Sequence, residues 1–247
     1  MEIIKNMEVS IMKSENEIRD LLNQIGENAD AETRFALAHS LKDKEEAIKW
    51  YRKAADQGNT DALVELGLCY LDGDGVEYSE EKGLTLLQEA ADQGEAEALS
   101  YMGNYYIGND LEIADMEGSK EDIEKGITCY QQAAEKGDPS AQENLGKCYY
   151  YGFLLQKNDE EAAKMFRKAA EQDFEYSQYM LGSMYYVGCG VEKDLAKAEY
   201  WFNKAADNNW SSAKEIMEQL NEHKKNINES EEHLNKLEEI IKDDLCL

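Results

Sequence analysis

The chain has 247 residues, of which 26 are Lys or Arg and 53 are Asp or Glu, so its formal net charge at pH 7 is −27. This charge opposes binding to a nucleic-acid backbone or an anionic lipid surface, and we expect neither as a partner. No stretch approaches the roughly 18 apolar residues of a membrane span, and the N-terminus does not resemble a signal peptide, so we expect a cytoplasmic protein. The acidic surface either attracts a basic protein partner or serves solubility alone, and composition does not separate the two.

The N-terminal segment 1–28 carries apolar side chains at spacings of three and four, which is typical of one face of a helix. Ser14 followed by Glu17 forms a capping-box pattern and indicates the start of a second helix. A repeat array leaves an apolar face open at each end, so we predict N-terminal capping helices over residues 1–28.

Two markers then recur along the chain in phase with each other. The first is an Ala-Ala pair that begins at Ala54, Ala90, Ala133, Ala169 and Ala205, with spacings of 36, 43, 36 and 36 residues. The second is a large apolar residue followed by Gly, with the apolar residue at Leu66, Met102, Leu145 and Leu181. Two markers with a common period predict a solenoid of helical hairpins. We place five repeats at 29–58, 59–94, 95–137, 138–173 and 174–209, with a seven-residue insertion in the third.

Each repeat contains a helix A and a helix B, and the first pair is predicted at 31–41 and 44–57. In the second repeat Ala62, Leu66 and Tyr70 form the inward stripe of helix A, and Gly67 permits a close approach of helix B. A glycine after the Ala-Ala pair ends helix B in the first three repeats. The same position holds Asp173 or Asn209 in the last two.

The loops between helices A and B include two Gly-x-Gly-Val turns, which begin at Gly73 and Gly188. They follow no strand, so we do not interpret them as phosphate-binding loops. The pattern LGxxYxxGxGV followed by KAxxWFxKAA resembles the Sel-one-like repeat family, a relative of the tetratricopeptide repeat. The resemblance covers about residues 30–210. It implies an all-α fold, a right-handed α-solenoid of five helical hairpins with N- and C-terminal capping helices.

The C-terminal segment 210–247 is predicted to form capping helices. Ala213 and Met217 hold the positions of Ala62 and Leu66, and residues 229–243 form a further amphipathic helix. That last helix is either a cap or a dimerisation helix. We favour a monomer, although the sequence leaves the oligomeric state open.

No catalytic constellation is present in the sequence, and we expect neither a cofactor nor a metal site. The three histidines are scattered and lack the ligand spacing of a metal centre. Five cysteines without a Cys-x-x-Cys pair indicate reduced thiols. We therefore predict a protein that is not an enzyme.

The candidate binding surface is the concave groove lined by helix A. Related tetratricopeptide arrays bind their ligands there. Alignment of this chain with those arrays at the Leu-Gly marker identifies the equivalent positions of helix A. The alignment gives a set of predicted groove residues: Leu68, Leu71, Asn104, Ile107, Glu143, Lys147, Tyr150, Tyr151, Tyr179, Ser183 and Tyr186. Tyrosine is enriched in protein interfaces. Tyr150 and Tyr186 either face the groove or are used in packing between repeats.

The resemblance implies a non-enzymatic adaptor or scaffold that holds a peptide or protein in this groove, and the acidic surface would favour a basic partner. One alternative is an inhibitor or immunity-type protein that neutralises a basic effector through its acidic surface. Another is a β-lactamase-like enzyme of the cysteine-rich members of the family. Those members have cysteine pairs that bridge each hairpin, and this chain lacks such pairs.

Overall fold

The computed structural model describes residues 28–108, 119–211, 213–214 and 216–217. Within these ranges all regular secondary structure is helical. The predicted N-terminal caps at 1–27, the insertion in the third repeat and the predicted helix at 229–243 lie outside the described residues. The chain divides into two compact units, residues 1–105 and 106–247.

The first unit holds two complete hairpins and the first helix of a third. Its helices are α1 (Ala31–Ser40), α2 (Lys44–Ala55), α3 (Thr60–Asp72), α4 (Glu80–Asp92) and α5 (Ala96–Ile107), the last of which crosses the division between the units. Helix α3 packs against both α2 and α4. Helix α2 ends at Ala55, two residues before the predicted end, because the chain turns directly after the alanine pair.

The second unit completes the third hairpin and contains the fourth and fifth. Its helices are α6 (Lys120–Glu135), α7 (Pro139–Tyr151), α8 (Asp159–Ala170), α9 (Glu175–Val187) and α10 (Leu195–Asp207). Helix α7 begins with Asp138 as N-cap and Pro139 in its first turn, as predicted. After α10 a further helical segment contains Ala213 and Met217, and both are buried at the predicted core positions.

The alanine pairs end helix B in the same way in every repeat. The carbonyl of Ala169 accepts the N–H of Phe174 at 3.2 Å, and that of Ala170 accepts the N–H of Asp173 at 3.2 Å. This pair of bonds defines a Schellman turn, whose last residue before the exit has positive φ. Asp173 has φ 64° and Asn209 has φ 71°, so these residues adopt the conformation that glycine adopts in the first three repeats.

The predicted close approach of helices A and B is confirmed in both units. A Cβ atom on Gly182 would lie 2.8 Å from a ring carbon of Phe202, and a Cβ on Gly67 would lie 3.0 Å from Cγ of Leu87. Any larger residue at these positions would separate the two helices of the hairpin, because real side chains do not approach this closely.

The second glycine of each Gly-x-Gly-Val turn contacts the preceding repeat. A Cβ on Gly75 would lie 2.8 Å from the backbone of Lys44 at the start of α2. A Cβ on Gly190 would collide with the backbone carbonyl of Asp159 at the start of α8. Each turn therefore packs against the start of helix B in the preceding repeat.

A buried amide ladder links the repeats of the second unit. Gln178 is fully buried; its side-chain amide donates to the carbonyl of Ala170 at 3.1 Å and accepts a bond from Asn208 at 3.0 Å. Gln142 and Gln172 form the equivalent pair one repeat earlier, at 2.9 Å. Buried amides need such partners, so the ladder fixes the register between repeats.

None of the described helices combines the length and the apolar character that crossing a bilayer requires.

Candidate functional site: an aromatic strip on two successive helix A segments

Six aromatic side chains of the second unit form a connected surface that we call the aromatic strip. Its members are Tyr150, Tyr151, Phe153, Tyr176, Tyr179 and Trp210. The first three lie at the end of α7 and in the loop after it, the next two lie on α9, and Trp210 precedes the following helical segment. The strip thus spans positions on successive helix A segments.

Ring contacts connect the strip residues within two groups, Tyr150–Tyr151–Phe153 and Tyr176–Trp210–Tyr179. Tyr151 stacks on Phe153 with ring centroids 5.2 Å apart and meets Tyr150 edge-on at 5.0 Å. Tyr176 meets Trp210 edge-on at 5.5 Å. The two groups are joined by the hydroxyl oxygens of Tyr151 and Tyr176, which lie 3.1 Å apart.

An ion pair lies beside the strip. Glu143 and Lys147 pair at 3.1 Å, with side chains only 14% and 21% exposed. Ser177 donates a hydrogen bond to Glu143 at 2.8 Å, and Nζ of Lys147 lies 4.4 Å from the ring centroid of Tyr176. One aromatic face of the strip is therefore occupied by a cation of the protein itself, in a contact of the cation–π type.

The exposed part of the strip differs from the part used in packing. Tyr151 is 38% exposed and Phe153 is 49% exposed. Tyr150 is half-buried against the core ring of Phe166, and burial raises the pKa of its hydroxyl. Tyr186 lies further along α9 and is 47% exposed.

The other predicted groove residues have mixed environments. Leu68, Asn104, Ile107 and Ser183 are half-buried. The hydroxyl of Ser183 donates to the carbonyl of Tyr179 at 3.0 Å, so it bonds within its own helix.

The prediction that Leu71 is exposed in the groove is wrong. Leu71 is only 8% exposed, and a Cβ on Gly83 would lie 2.6 Å from its Cγ. The side chain therefore fills the space that the glycine of α4 leaves inside the hairpin. Helix α3 is apolar on nearly all sides, so the tetratricopeptide register did not identify which of its leucines face outward.

Sequence reasoning missed Tyr176, Trp210 and Phe153. A signal for Tyr176 was present, because the equivalent residues of the three preceding repeats are polar: Asp61, Glu97 and Ser140. An aromatic residue at a position that is otherwise polar indicates a local role. Trp210 gave no comparable signal, since it lies where the repeat pattern ends.

The strip can offer a partner both hydrogen-bonding groups and aromatic rings. Within the described ranges, no group of three or more His, Cys, Asp or Glu is placed to hold a metal ion. The hydroxyl groups of the tyrosines can donate and accept hydrogen bonds, and their rings supply apolar contact area.

Comparison with known proteins identifies the repeats. The Sel1 repeat model matches residues 38–59, 60–95, 96–138, 139–174 and 175–210. No curated protein matches the chain at a significant level.

Several solved structures share the fold. A protective antigen of uropathogenic Escherichia coli strains, which displays an SLR fold, is 33% identical with a TM-score of 0.64, over 84% of this chain and 44% of that chain. A Sel1 repeat protein from Oxalobacter formigenes is 29% identical with a TM-score of 0.68, over 84% and 60%. An immunity protein from Pseudomonas aeruginosa is 24% identical with a TM-score of 0.51, over 74% and 67%, which shows likeness of fold alone. The chain thus spans less than two thirds of the first two proteins.

These matches confirm the predicted all-α repeat solenoid. The repeat model covers well over half of the chain, from residue 38 to residue 210. The chain therefore belongs to the Sel1 repeat family.

Proposed function

We propose that this protein is a non-enzymatic interaction module that binds a peptide or protein partner at the aromatic strip. Sel1 repeat proteins typically mediate protein–protein interaction. The observation that best supports the proposal is the contact between the hydroxyl groups of Tyr151 and Tyr176, because it joins the aromatic residues of two repeats into one surface. Tyr and Trp are the residue types most enriched among interface hot spots.

The partner proposed for the strip is a segment with basic side chains. The ring of Tyr176 already faces the ammonium group of Lys147, and Glu143 lies next to it. A Lys or Arg of the partner would make the same kinds of contact with the exposed ring of Tyr151. The net charge of −27 adds a long-range attraction for such a partner.

The test is affinity capture from the source organism, with two triple variants compared with the parent protein. The strip variant carries Tyr151→Ala, Phe153→Ala and Tyr176→Ala. The control variant carries Leu195→Ala, Tyr200→Ala and Val187→Ala, which are exposed apolar side chains outside the strip. We expect the strip variant to lose a captured protein by about tenfold or more while the control retains it. Equal capture by both variants, with both folded by circular dichroism, would refute the proposal.

A second candidate is an inhibitor or immunity-type protein that neutralises a basic effector. The observation that favours it is the excess of 53 acidic over 26 basic residues. Binding that rests on this charge would weaken steeply between about 50 and 500 mM salt, because surface charges are screened. Salt-independent capture together with unaltered activity of the captured protein would reject this candidate.

The β-lactamase-like alternative receives no support from the cysteines. Cys69, Cys129, Cys148 and Cys189, the four that lie in the described ranges, are free thiols. Sel1 repeat proteins are generally non-catalytic scaffolds. Turnover of nitrocefin that persists through purification would contradict the non-enzymatic proposal.

A further inference from the structure

Two clefts that share five of their seven lining residue types occur at repeat junctions, one in each unit. The first has a volume of about 410 Å³ and is lined by Arg52, Tyr70, Val76, Glu77, Tyr78, Ser79 and Lys82. The second has a volume of about 370 Å³ and is lined by Arg167, Tyr185, Val191, Glu192, Lys193, Asp194 and Lys197. In both, the arginine comes from helix B of one repeat and the tyrosine and lysine come from the next. We call them the Arg-Tyr-Lys clefts.

The arginine, tyrosine and lysine are placed nearly identically in the two clefts, and in the second cleft Lys197 also pairs with Asp194 at 3.0 Å. In the first, Nη2 of Arg52 donates to the hydroxyl of Tyr70 at 2.8 Å, and Nζ of Lys82 lies 5.3 Å from the tyrosine ring centroid. In the second, Arg167 donates to Tyr185 at 2.8 Å, and Lys197 lies 5.3 Å from that ring. The same arrangement of arginine, tyrosine and lysine therefore occurs at two different repeat junctions.

Hydrogen-bond donors remain available in each cleft. A guanidinium group has five N–H donors, and among the described residues only the tyrosine hydroxyl accepts from Arg52 or from Arg167. No described carboxylate lies within 4 Å of either guanidinium, in a chain with 53 acidic residues. Each tyrosine hydroxyl accepts from its arginine, which leaves its own O–H to donate to a further group.

The arginine is not required for stacking of the repeats. The positions equivalent to Arg52 and Arg167 hold Gln88 on α4 and Gln131 on α6. Helix α6 nevertheless packs against α7. Stacking of neighbouring repeats therefore does not require arginine at this position.

The charge inside each cleft matches one negative charge. The first contains two cations, Arg52 and Lys82, and one carboxylate, Glu77. The second contains three cations and two carboxylates: Arg167, Lys193, Lys197, Glu192 and Asp194. Each cleft thus has a formal excess of one positive charge, which a monoanion neutralises and a phosphate dianion exceeds.

We infer that each Arg-Tyr-Lys cleft binds the carboxylate of an acidic side chain of a polypeptide. Guanidinium presents two parallel N–H groups that match the planar carboxylate, and the tyrosine O–H and the lysine ammonium supply further donors. The inference does not depend on the aromatic strip, since no residue of the strip lines either cleft. It gives this acidic protein two places that recognise an acidic segment.

The experiment follows the arginine side-chain N–H signals and the backbone amide signals of Lys82 and Lys197 in the full chain by nitrogen-15 NMR, so that each cleft keeps a reporter when its arginine is replaced. The probes are sodium acetate, N-acetylglutamate methylamide and inorganic phosphate, each titrated against sodium chloride at constant ionic strength. We expect saturable shifts of the Arg52 and Arg167 signals with acetate and with the glutamate derivative, and weaker binding of phosphate. Identical shifts with chloride, or tighter binding of phosphate than of acetate, would overturn the carboxylate assignment.

The two clefts serve as controls for each other. Arg52→Gln introduces the residue that the repeat pattern has at Gln88, so the fold is expected to tolerate it. We expect Arg52→Gln to abolish the response of the first cleft while the Arg167 signal still saturates, and Arg167→Gln to do the reverse. Tyr70→Phe should weaken acetate binding in the first cleft about threefold to tenfold through loss of one donor. Saturable binding that survives both arginine substitutions together would refute the inference.

Discussion

The hydroxyl oxygens of Tyr151 and Tyr176 lie 3.1 Å apart, although the two residues belong to different repeats. Tyr151 is the last residue of α7, and Tyr176 lies in the first turn of α9. The contact therefore exists only when the two repeats are stacked. The candidate binding surface is therefore complete only when the junction between the two repeats is folded.

Removal of one hydroxyl from this pair should lower stability modestly. For Tyr176→Phe we expect the free energy of unfolding to fall by about 0.5–1 kcal/mol, the usual net value of one hydrogen bond at a partly exposed site. Urea denaturation measures the change. Tyr186→Phe is the matched control, because its ring is 47% exposed and no described residue bonds its hydroxyl. Additive losses in the Tyr151→Phe, Tyr176→Phe double variant would show that the two hydroxyls do not interact.

A methyl group at the contact of α9 and α10 should be destabilising. Gly182→Ala gains about 1 kcal/mol of helix propensity. It also places a Cβ 2.8 Å from the ring of Phe202, and overpacking of this kind costs about 1–3 kcal/mol. We therefore expect a net loss of stability, measured by thermal or urea unfolding. In a Phe202→Leu background the same substitution should be neutral or stabilising, and an unchanged loss there would contradict the steric explanation.

The Schellman turns allow a test of backbone strain without steric interference. Gly137 has φ 102°, and a Cβ there would meet nothing within 4 Å. Gly137→Ala should therefore destabilise the protein by about 1–2 kcal/mol through the left-handed conformation alone. Asn209→Gly, at φ 71°, should leave stability unchanged or raise it slightly. Equal effects of the two substitutions would exclude backbone strain as the cause.

The amide ladder should depend on Gln178. Gln178→Leu introduces the residue type of Leu63 and Leu99, which occupy the same position in the second and third repeats. It leaves the carbonyl of Ala170 and the side chain of Asn208 without their partner, and we expect a loss of about 1–3 kcal/mol. Urea denaturation of the variant measures this loss. A variant as stable as the parent would mean that apolar contact replaces the ladder fully.

The thiol of Cys148 should make stability depend on alkaline pH. Burial raises the pKa of this thiol to about 12. In the unfolded chain a cysteine thiol has a pKa of about 8.5. The folded state then keeps a proton that the unfolded state releases. The contribution of the thiol is therefore complete below the unfolded pKa and falls by about 1.4 kcal/mol per pH unit as the pH rises toward the folded pKa.

The measurement is the free energy of unfolding of the parent and of Cys148→Ala between pH 9 and about 11. The parent should lose stability with rising pH more steeply than the variant. Tyr51, whose pKa burial raises to about 12, contributes equally to both proteins. Parallel curves would show that the thiol of Cys148 is not protected from ionisation in the folded state.

The sequence was sufficient for the elements that repeat. The Ala-Ala pairs and the Leu-Gly markers predicted the helical hairpins and the packing of Gly67 against helix B, because small residues at a fixed spacing are a direct requirement of close helix contact. Asp173 and Asn209 were identified as positive-φ positions by the same alignment of repeats. Local geometry and neighbour packing are encoded within one or two repeats.

The sequence was not sufficient for the surface. Leu71 and Leu68 are both leucines of α3, yet one fills the space beside Gly83 and the other is half-buried. The rotation of a helix that is apolar on most sides depends on the helices that pack around it, and a transferred register does not supply that rotation.

The periodic spacing of small and apolar residues thus determined the family, the hairpins and the turns that end helix B. Only the tertiary structure brought Tyr176 to Tyr151 and Arg167 to Tyr185, pairs that are 25 and 18 residues apart. The first kind of information is local, because helix propensity and capping act within a few residues. The second arises when successive repeats stack, since stacking alone decides which side chains meet across the junction.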